Sequence, residues 1–397
     1  MDPADDAGTD SSTGGKAPQR DLITWHIFVN PASGSRSGTH IWDTIVRPAL
    51  EGAGWRKSCY GEETTFEETC FQVTFTKRGN HAADTVRELV TKRQTLEGLG
   101  FVCIGGDGVV HEVIKGVMSS ISTSNPPSLK VPIAVIPAGT GNALATSLKL
   151  SSPEEATERL INYKQTVPLK ISSVHIGPST LDECPDEVLM YSFCVVSWGL
   201  HAQIVRQSET LRMLGRKRFQ VAAMMNIALM HQYRGQLYLL DPTELSQTDP
   251  DPVTFAKPDW AVDEKWVPVN GKDDATSFSY FLSTKMSSLE PGFQIAPHAH
   301  PSTSNIDLVL APSLNRSQLL HFLQSTPAIP EYIRYIKTRG FKLAPSQSSG
   351  RRTSWVPKAG KLVHDICIDG EMVELENGQA VWVKILDERA QLFNVVC

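Results

Sequence analysis

Apolar residues in the first 150 positions come in two textures. Short unbroken runs stand at His26–Val29, Phe71–Thr76, Phe101–Ile104 and Val131–Ile136. Between them apolar residues recur every three or four positions: Ala82, Ala83, Val86, Leu89 and Val90, then Val109, Val110, Val113, Ile114, Val117 and Met118. The runs read as strands. The spaced stretches read as helices with one buried face, and His111, Glu112 and Lys115 fall on the opposite face of the second. Strands that are apolar on both sides and alternate with helices predict a parallel sheet covered on both faces. Ligands of such sheets bind beyond the carboxyl ends of the strands. After about residue 152 short strand-like runs take over, at Ser192–Val196, Gln236–Leu240, Phe278–Ser283, Ile306–Leu310, Leu362–Ile368 and Ala380–Leu386. The alternation of Val381, Val383 and Ile385 marks a half-buried strand. One helical interruption, about 204–233, sits among them, and 241–265 and 344–360 read as loops. The expected architecture is an α/β domain with a parallel sheet over 21–152 and a β-rich domain over 153–390, with tails at 1–20 and 391–397.

A chain of 397 residues accommodates two such domains. Its net charge of −5 argues against nucleic acid as the main partner, because phosphate backbones demand clustered Lys and Arg. The longest apolar stretch, Val221–Met230, contains Asn226 and falls short of the roughly 20 residues that span a bilayer. Residues 1–20 are acidic and rich in Gly and Ser, without an apolar core, and read as a disordered tail rather than a secretory signal. The seven cysteines form no CxxC pair, which argues against a disulfide framework or a zinc site and for a reducing, cytoplasmic setting.

Three Gly-rich turns follow predicted strands. The most telling is Gly105-Gly106-Asp107-Gly108, which leaves one strand and opens a helix. Glycines admit a phosphate close to the backbone, and a helix N-terminus offers unpaired N–H groups. A carboxylate in that place repels phosphate, so Asp107 is better explained as a base, or as a partner of a phosphate-bound metal, than as a phosphate ligand. The plainer alternative is that Asp107 caps the helix. The other two turns are Asn30–Gly38, with Ser33, Gly34 and Arg36, and Gly139-Thr140-Gly141-Asn142. Near the C-terminus stands Asp369-Gly370-Glu371. His298 and His300 lie in a loop without a third metal ligand nearby, His111-Glu112 lacks the second His of a zinc-protease motif, and Cys103 reads as inert packing.

In this order and spacing the chain resembles the lipid kinases of the diacylglycerol-kinase catalytic superfamily, most of all the sphingosine and ceramide kinase branch. Phe28-Val29-Asn30-Pro31, Thr76 through Asn80-His81-Ala82, Gly105–Glu112, Pro137–Leu148, Ser197-Trp198-Gly199, Ser208-Glu209 through Leu214-Gly215, Arg218-Phe219, Tyr233-Arg234-Gly235 and Asp369–Glu371 carry the resemblance. It implies a Rossmann-like N-terminal domain and an antiparallel β-sandwich that carries a helical lid, with ATP in the cleft between them. At matching positions Asp107 looks like the base that takes the proton of the lipid's primary hydroxyl. Asn30, Ser33, Gly34, Arg36, Thr76, Gly105, Gly106, Gly108, Glu112, Gly139, Thr140, Gly141, Asn142, Arg212, Arg218, Asp369, Gly370 and Glu371 look like the nucleotide site. His201, Gln203, Val205, Ser208, Glu209 and Leu214 look like the lipid site. Mg2+ would be held through the ATP phosphates and water, with no dedicated cage. The resemblance also implies a long-chain lipid substrate and peripheral membrane association, and it leaves a homodimer open. Arg216 and Lys217 read as a solvated basic face or as contacts to anionic headgroups.

Two departures matter. Gln203 and Val205 stand where sphingosine kinases carry acids that read the sphingoid headgroup, so an ammonium would lose its counter-charge. The expected acceptor is a sphingoid long-chain base read by another group. A ceramide, diacylglycerol or monoacylglycerol acceptor, or a catalytically silent nucleotide- or lipid-binding sensor, is the alternative. NAD phosphorylation is disfavoured by the lid-like segment and by the turns at Asn30 and Gly139. The loop after Asn30-Pro31 has only Arg36 where relatives place Lys residues. Arg351-Arg352-Thr353-Ser354 fits a basophilic protein-kinase site, and also an exposed loop of no special role.

Overall fold

The computed structural model describes residues 23–57, 69–121, 127–163, 165–215, 217–229, 231, 233–245, 265–269, 276–346 and 364–397. The segments 1–20 and Arg351–Ser354 lie outside the described residues.

The first domain begins with β1 (Thr24–Val29). A helical stretch follows, made of α1 (Gly38–Ile41), a π-helical part (Trp42–Val46) and α2 (Arg47–Gly52). Then come β2 (Arg56–Lys57), β3 (Cys70–Phe75), α3 (His81–Arg93), β4 (Leu99–Gly105), α4 (Asp107–Met118), β5 (Val131–Pro137), α5 (Ala143–Ser147), α6 (Pro153–Asn162) and β6 (Thr166–Leu169). The strands β2-β3-β1-β4-β5 pair in parallel in that order. β4 is buried along its whole length, which explains its unbroken apolar run.

The second domain comprises β7 (Ser172–Pro178), β8 (Met190–Ser192), β9 (Val195–Gly199), α7 (Leu200–Thr210), a 3-10 turn (Arg212–Leu214), α8 (Lys217–Leu229), β10 (Tyr233–Leu240), β11 (Thr243–Leu245) and β12 (Trp266–Pro268). It continues with β13 (Thr276–Thr284), β14 (Ile306–Pro312), α9 (Arg316–Gln324), β15 (Arg334–Thr338), β16 (Gly340–Pro345), β17 (Asp365–Ile368), β18 (Glu371–Glu374) and β19 (Gln379–Ile385). Its strands are antiparallel, as expected, and form one hydrogen-bonded network. Among the described residues no helix is long and apolar enough to cross a membrane.

Four sequence readings need correction. Residues 391–397 are not a tail: β20 (Phe393–Val396) pairs with β5 in parallel and with β6 antiparallel, so the end of the chain completes the first sheet. Leu392, Phe393, Val395 and Val396 are buried there, and four apolar residues at a chain end are too short a run to announce a core strand. β6 belongs to the same sheet, which moves part of 153–390 into the first domain. The run Ser192–Val196 is broken at Phe193-Cys194, because consecutive amides there turn to the Asp369 carboxylate. Helix α9 was overlooked, although Asn315 and Gln318 form a capping box that the sequence displays.

Candidate active site

The three Gly-rich turns converge above the carboxyl ends of β1, β4 and β5. A Cβ on Gly139 would stand 2.5 Å from the Gly106 Cα, and one on Gly34 would stand 2.6 Å from the Ala138 carbonyl oxygen. Only glycine allows these turns to touch, and Gly34 also has a φ of +56°. Asn142 ties its own turn: Oδ1 accepts the Gly139 N–H at 3.0 Å and Nδ2 donates to the Gly139 carbonyl at 2.9 Å. Asn30 Oδ1 likewise accepts the Ala32 N–H at 2.9 Å. Between the turns lies a cavity of about 500 Å³, walled by Gly34, Ser35, Ser37, Gly139, Thr140 and Asn142, with Gly215 of the second domain at its edge. Small side chains and open backbone suit a phosphate-bearing ligand.

Asp107 is the first residue of α4, yet its carboxylate serves another helix. Oδ2 accepts the Ala143 N–H at 2.8 Å and Oδ1 accepts the Leu144 N–H at 3.1 Å, the first two amides of α5. No side-chain cap bond closes α4 itself. The carboxylate is therefore aimed across the turn rather than spent on its own helix. Desolvation raises its pKa to about 6, although the two amides oppose the shift, and Asp369 adds repulsion.

The second-domain helices enclose a further cavity, of about 440 Å³. α7 supplies His201, Ile204 and Val205, α8 supplies Phe219, Ala223 and Ile227, and Leu320 and Leu323 of α9 close it. Tyr280 of β13, Leu289 and Phe293 were not anticipated, because they lie far from the motifs in sequence. Gly141 is in the same wall, two residues before the amide that holds Asp107. The apolar cavity thus reaches the turn that positions the carboxylate.

The anticipated lipid residues divide. His201 and Val205 line the cavity. Gln203 is buried and donates through Nε2 to Asp365 Oδ2 at 3.2 Å, and Arg206 pairs with the same oxygen. The Ser208 hydroxyl donates to the Val205 carbonyl at 2.8 Å. Glu209 lies 3.3 Å from the Arg218 guanidinium, which also stacks over the Phe219 ring at 4.6 Å. Leu214 is exposed.

The anticipated nucleotide residues divide too. Ser33 is buried beneath the first turn, Arg36 is exposed, and Gly108 has open space around it. Thr76 donates its backbone N–H to the Val29 carbonyl at 2.8 Å, just past the paired ends of β1 and β3. A Cβ on Gly105 would stand 2.6 Å from the Val109 side chain. The Glu112 carboxylate accepts the Ala82 N–H at 2.9 Å and so caps α3. Arg212 begins the 3-10 turn.

Asp369 is committed elsewhere than to a metal. Oδ1 accepts from the Ser192 hydroxyl (2.9 Å) and the amides of Cys194 (3.1 Å) and Val195 (2.7 Å), while Oδ2 accepts the Phe193 amide (2.9 Å) and lies 3.1 Å from His111 Nδ1. That saturates its lone pairs. After Gly370, with a φ of +93°, Glu371 lies 3.5 Å from Lys115 Nζ and 3.7 Å from His111 Nε2. This acidic pair joins the second domain to α4. Among the described residues no group of three His, Cys, Asp or Glu is placed to hold a metal ion.

Residues 24–174 match the model of the diacylglycerol kinase catalytic domain. The chain is 30% identical over 223 residues to sphingosine kinase 1 of Rattus norvegicus, a match covering 54% of this chain and 51% of that one. It is 24% identical over 345 residues to sphingosine kinase 1 of Arabidopsis thaliana, covering 80% and 64%. It is 26% identical over 224 residues to the ceramide kinase of Homo sapiens, covering 54% and 37%. The matches therefore span less than two thirds of these relatives' own lengths. The fold is similar to that of a diacylglycerol kinase from Bacillus anthracis str. Sterne, at a TM-score of 0.56 and 11% identity over 94% of this chain and 96% of the other. Residues 24–174 are thus similar to a diacylglycerol kinase catalytic domain, and the chain is similar in part to the sphingosine and ceramide kinases.

Proposed function

We propose that the chain is an ATP-dependent lipid kinase that transfers the γ-phosphoryl group to the primary hydroxyl of a long-chain, sphingoid-type lipid, with Asp107 as the base. The single observation that carries this reading is the hold of the Asp107 carboxylate on the first amides of α5, next to the turn whose Gly139, Thr140 and Asn142 wall one cavity and whose Gly141 walls the apolar one. ATP phosphates would lie against the turns at Gly34, Gly106 and Gly139, where close backbone approach and short polar side chains favour them. Mg2+, held through the phosphates and water, would neutralise charge there; Asp369, with no lone pair to spare, would not serve as its ligand. The lipid chain would occupy the cavity under α7, α8 and α9. The bond from the lipid oxygen to the γ-phosphorus forms as the bond to the β–γ bridging oxygen breaks. The hydroxyl proton passes to Asp107, and ADP leaves.

A carboxylate with a pKa of about 6 is ionised at neutral pH and still basic enough to accept that proton. Exposed apolar residues around the lid, Met213 and Met225 among them, would let the protein draw its substrate from a bilayer at the cytoplasmic side. The test is transfer of labelled γ-phosphate from Mg-ATP to micellar sphinganine, ceramide, diacylglycerol and monoacylglycerol. Label on sphinganine or ceramide that disappears in Asp107→Asn supports the reading, and label on diacylglycerol or monoacylglycerol alone keeps the kinase but replaces the sphingoid-type acceptor. ATP binding with no label on any lipid replaces it with a nucleotide-binding sensor.

A further inference from the structure

The face of α4 that carries Asp107 also carries His111 and Lys115, each one helical turn further on. His111 is buried between two carboxylates of the second domain. Its Nδ1 lies 3.1 Å from Asp369 Oδ2, and its Nε2 lies 3.7 Å from Glu371 Oε1, an ion-pair distance. Nε2 is buried with no hydrogen-bond partner among the described residues, so Glu371 is the group it faces. An ionised carboxylate only accepts hydrogen bonds, and a neutral imidazole donates through one nitrogen alone. Carboxylates at both ring nitrogens therefore suit the doubly protonated, positive ring. Burial opposes that charge, but the hydrogen bond and charge of Asp369, with the charge of Glu371, outweigh burial and Lys115.

Asp369 needs such a partner. Its other donors, the Ser192 hydroxyl and the amides of Phe193, Cys194 and Val195, are neutral and leave its charge in place. Among the described residues His111 is the only cation bonded to it. Asp107 feels that charge. Burial is the main cause of its raised pKa, the Ala143 and Leu144 amides oppose the rise, and Asp369 adds to it. The Cys194 thiol lies near both carboxylates. Burial first, then the charges of Asp107 and Asp369, push its pKa well up, so it stays protonated and adds no charge. The charged groups facing the His111 ring are thus Asp369 and Glu371, at the turn between β17 and β18, and Lys115 of α4. Lys115 in turn is held by Asn80 at 3.1 Å and Glu371 at 3.5 Å.

Resting on the lipid-kinase reading above, we infer that His111 is a positioning residue for the transfer: its positive ring, clasped between Asp369 and Glu371, offsets the Asp369 charge that Asp107 faces and keeps Asp107 ionised for the proton of the incoming hydroxyl. His111 acts through Asp369. The ring comes from α4 of the first domain and both carboxylates come from the second, so the readiness of the base depends on the two domains being joined at this point.

The experiment compares the full chain with His111→Gln, whose amide can still donate to Asp369 but carries no charge. Carboxyl carbon signals of labelled aspartate are followed by NMR as the pH is varied, and the Asp107 signal is identified by its loss in Asp107→Asn. In His111→Gln the Asp107 midpoint should rise by about half a pH unit or more, because Asp369 is left uncompensated. The acid limb of kcat/KM for phosphate transfer to the lipid should rise with it, and the two proteins should converge at alkaline pH, where Asp107 is ionised in both. A midpoint that stays or falls, in a variant shown to fold by thermal unfolding, would overturn the proposal. A loss of kcat/KM by the same factor at every pH would also overturn it, since that marks a packing role. Where the variant does not fold, the ring nitrogen signals of His111 in the wild type decide. A ring doubly protonated through the ordinary histidine range supports the proposal, and one that loses a proton within or below that range overturns it. A raised Asp107 midpoint in a chain that phosphorylates no lipid would instead overturn the kinase reading and leave the link from His111 to Asp107 standing.

Discussion

The Asp107 carboxylate accepts the Ala143 N–H at 2.8 Å, so the residue that opens one helix is held by the first turn of another. β4 and β5 are neighbours in the parallel sheet, and each ends in a glycine turn that feeds a helix. The contact between Gly106 and Gly139 brings those turns close enough for the carboxylate to bridge them. On the proposed reading, preorganisation of this kind would fix the base before substrate arrives.

On the proposed reading, replacing Asp107 by Asn would remove the proton acceptor and little else. The amide keeps one oxygen for one of the two α5 N–H groups and loses the other bond, a change of about 1 kcal/mol. The expected result is a fall in kcat of about 100-fold or more, with ATP affinity within about two-fold of wild type, measured by steady-state transfer and nucleotide titration. Wild-type turnover in the variant would remove Asp107 from the chemistry.

The raised pKa of Asp107 makes a pH prediction. A base must be deprotonated, so kcat/KM should hold at neutral pH and fall as the pH drops through about 6. Below that point it should fall about ten-fold per pH unit. A profile that turns only near 4, the ordinary carboxylate range, would place the titration on another group.

His111 and Asp369 link the domains, and their pairing is also a pH-dependent source of stability. Burial works against a charged His111 ring, but the hydrogen bond and charge of Asp369, aided by Glu371, outweigh it and raise the pKa. A raised folded-state pKa contributes stability in full below the ordinary histidine value and loses it as the pH rises through the shifted one. The difference in Tm between wild type and His111→Asn should therefore be largest below the ordinary histidine range and shrink as the pH rises above it. Asp369→Asn should cost about 3 kcal/mol or more, because it turns an amide donor toward backbone donors. A difference in Tm that stays flat with pH would mean the His111 ring is neutral throughout.

The parallel sheet and the glycine turns were legible because their signals are local: unbroken apolar runs, then glycines at fixed offsets. The Asp107 position was legible for the same reason. What escaped the sequence depends on contacts made over long separations. Phe393 pairs with Val131, and the amides of Phe193–Val195 break a strand to reach Asp369. Asp369 and Glu371 were recognised as a pair, but the five donors that saturate Asp369 come from two distant parts of the chain, Ser192–Val195 and His111. Tyr280 sits in an ordinary apolar strand, and only the third dimension sets its side chain against His201.

The apolar surface around the lid makes the last prediction. Met213 is 98% exposed in the 3-10 turn, and Met225 is 45% exposed on α8, outside the cavity wall. Exposed methionines have no stabilising role in water, whereas burial of one such side chain in a bilayer is worth roughly 1.5–3 kcal/mol. Glutamate at both positions should weaken binding to anionic phospholipid vesicles by at least about ten-fold, because each change removes apolar burial and adds repulsion from the lipid headgroups. Transfer to an acceptor presented in those vesicles should fall in step. Transfer to a water-soluble short-chain acceptor should stay within about two-fold of wild type, since neither residue touches the cavity. Cosedimentation with vesicles and parallel assays on the two acceptors separate the effects. Unchanged vesicle binding in the double variant would place the membrane contact on another face of the protein.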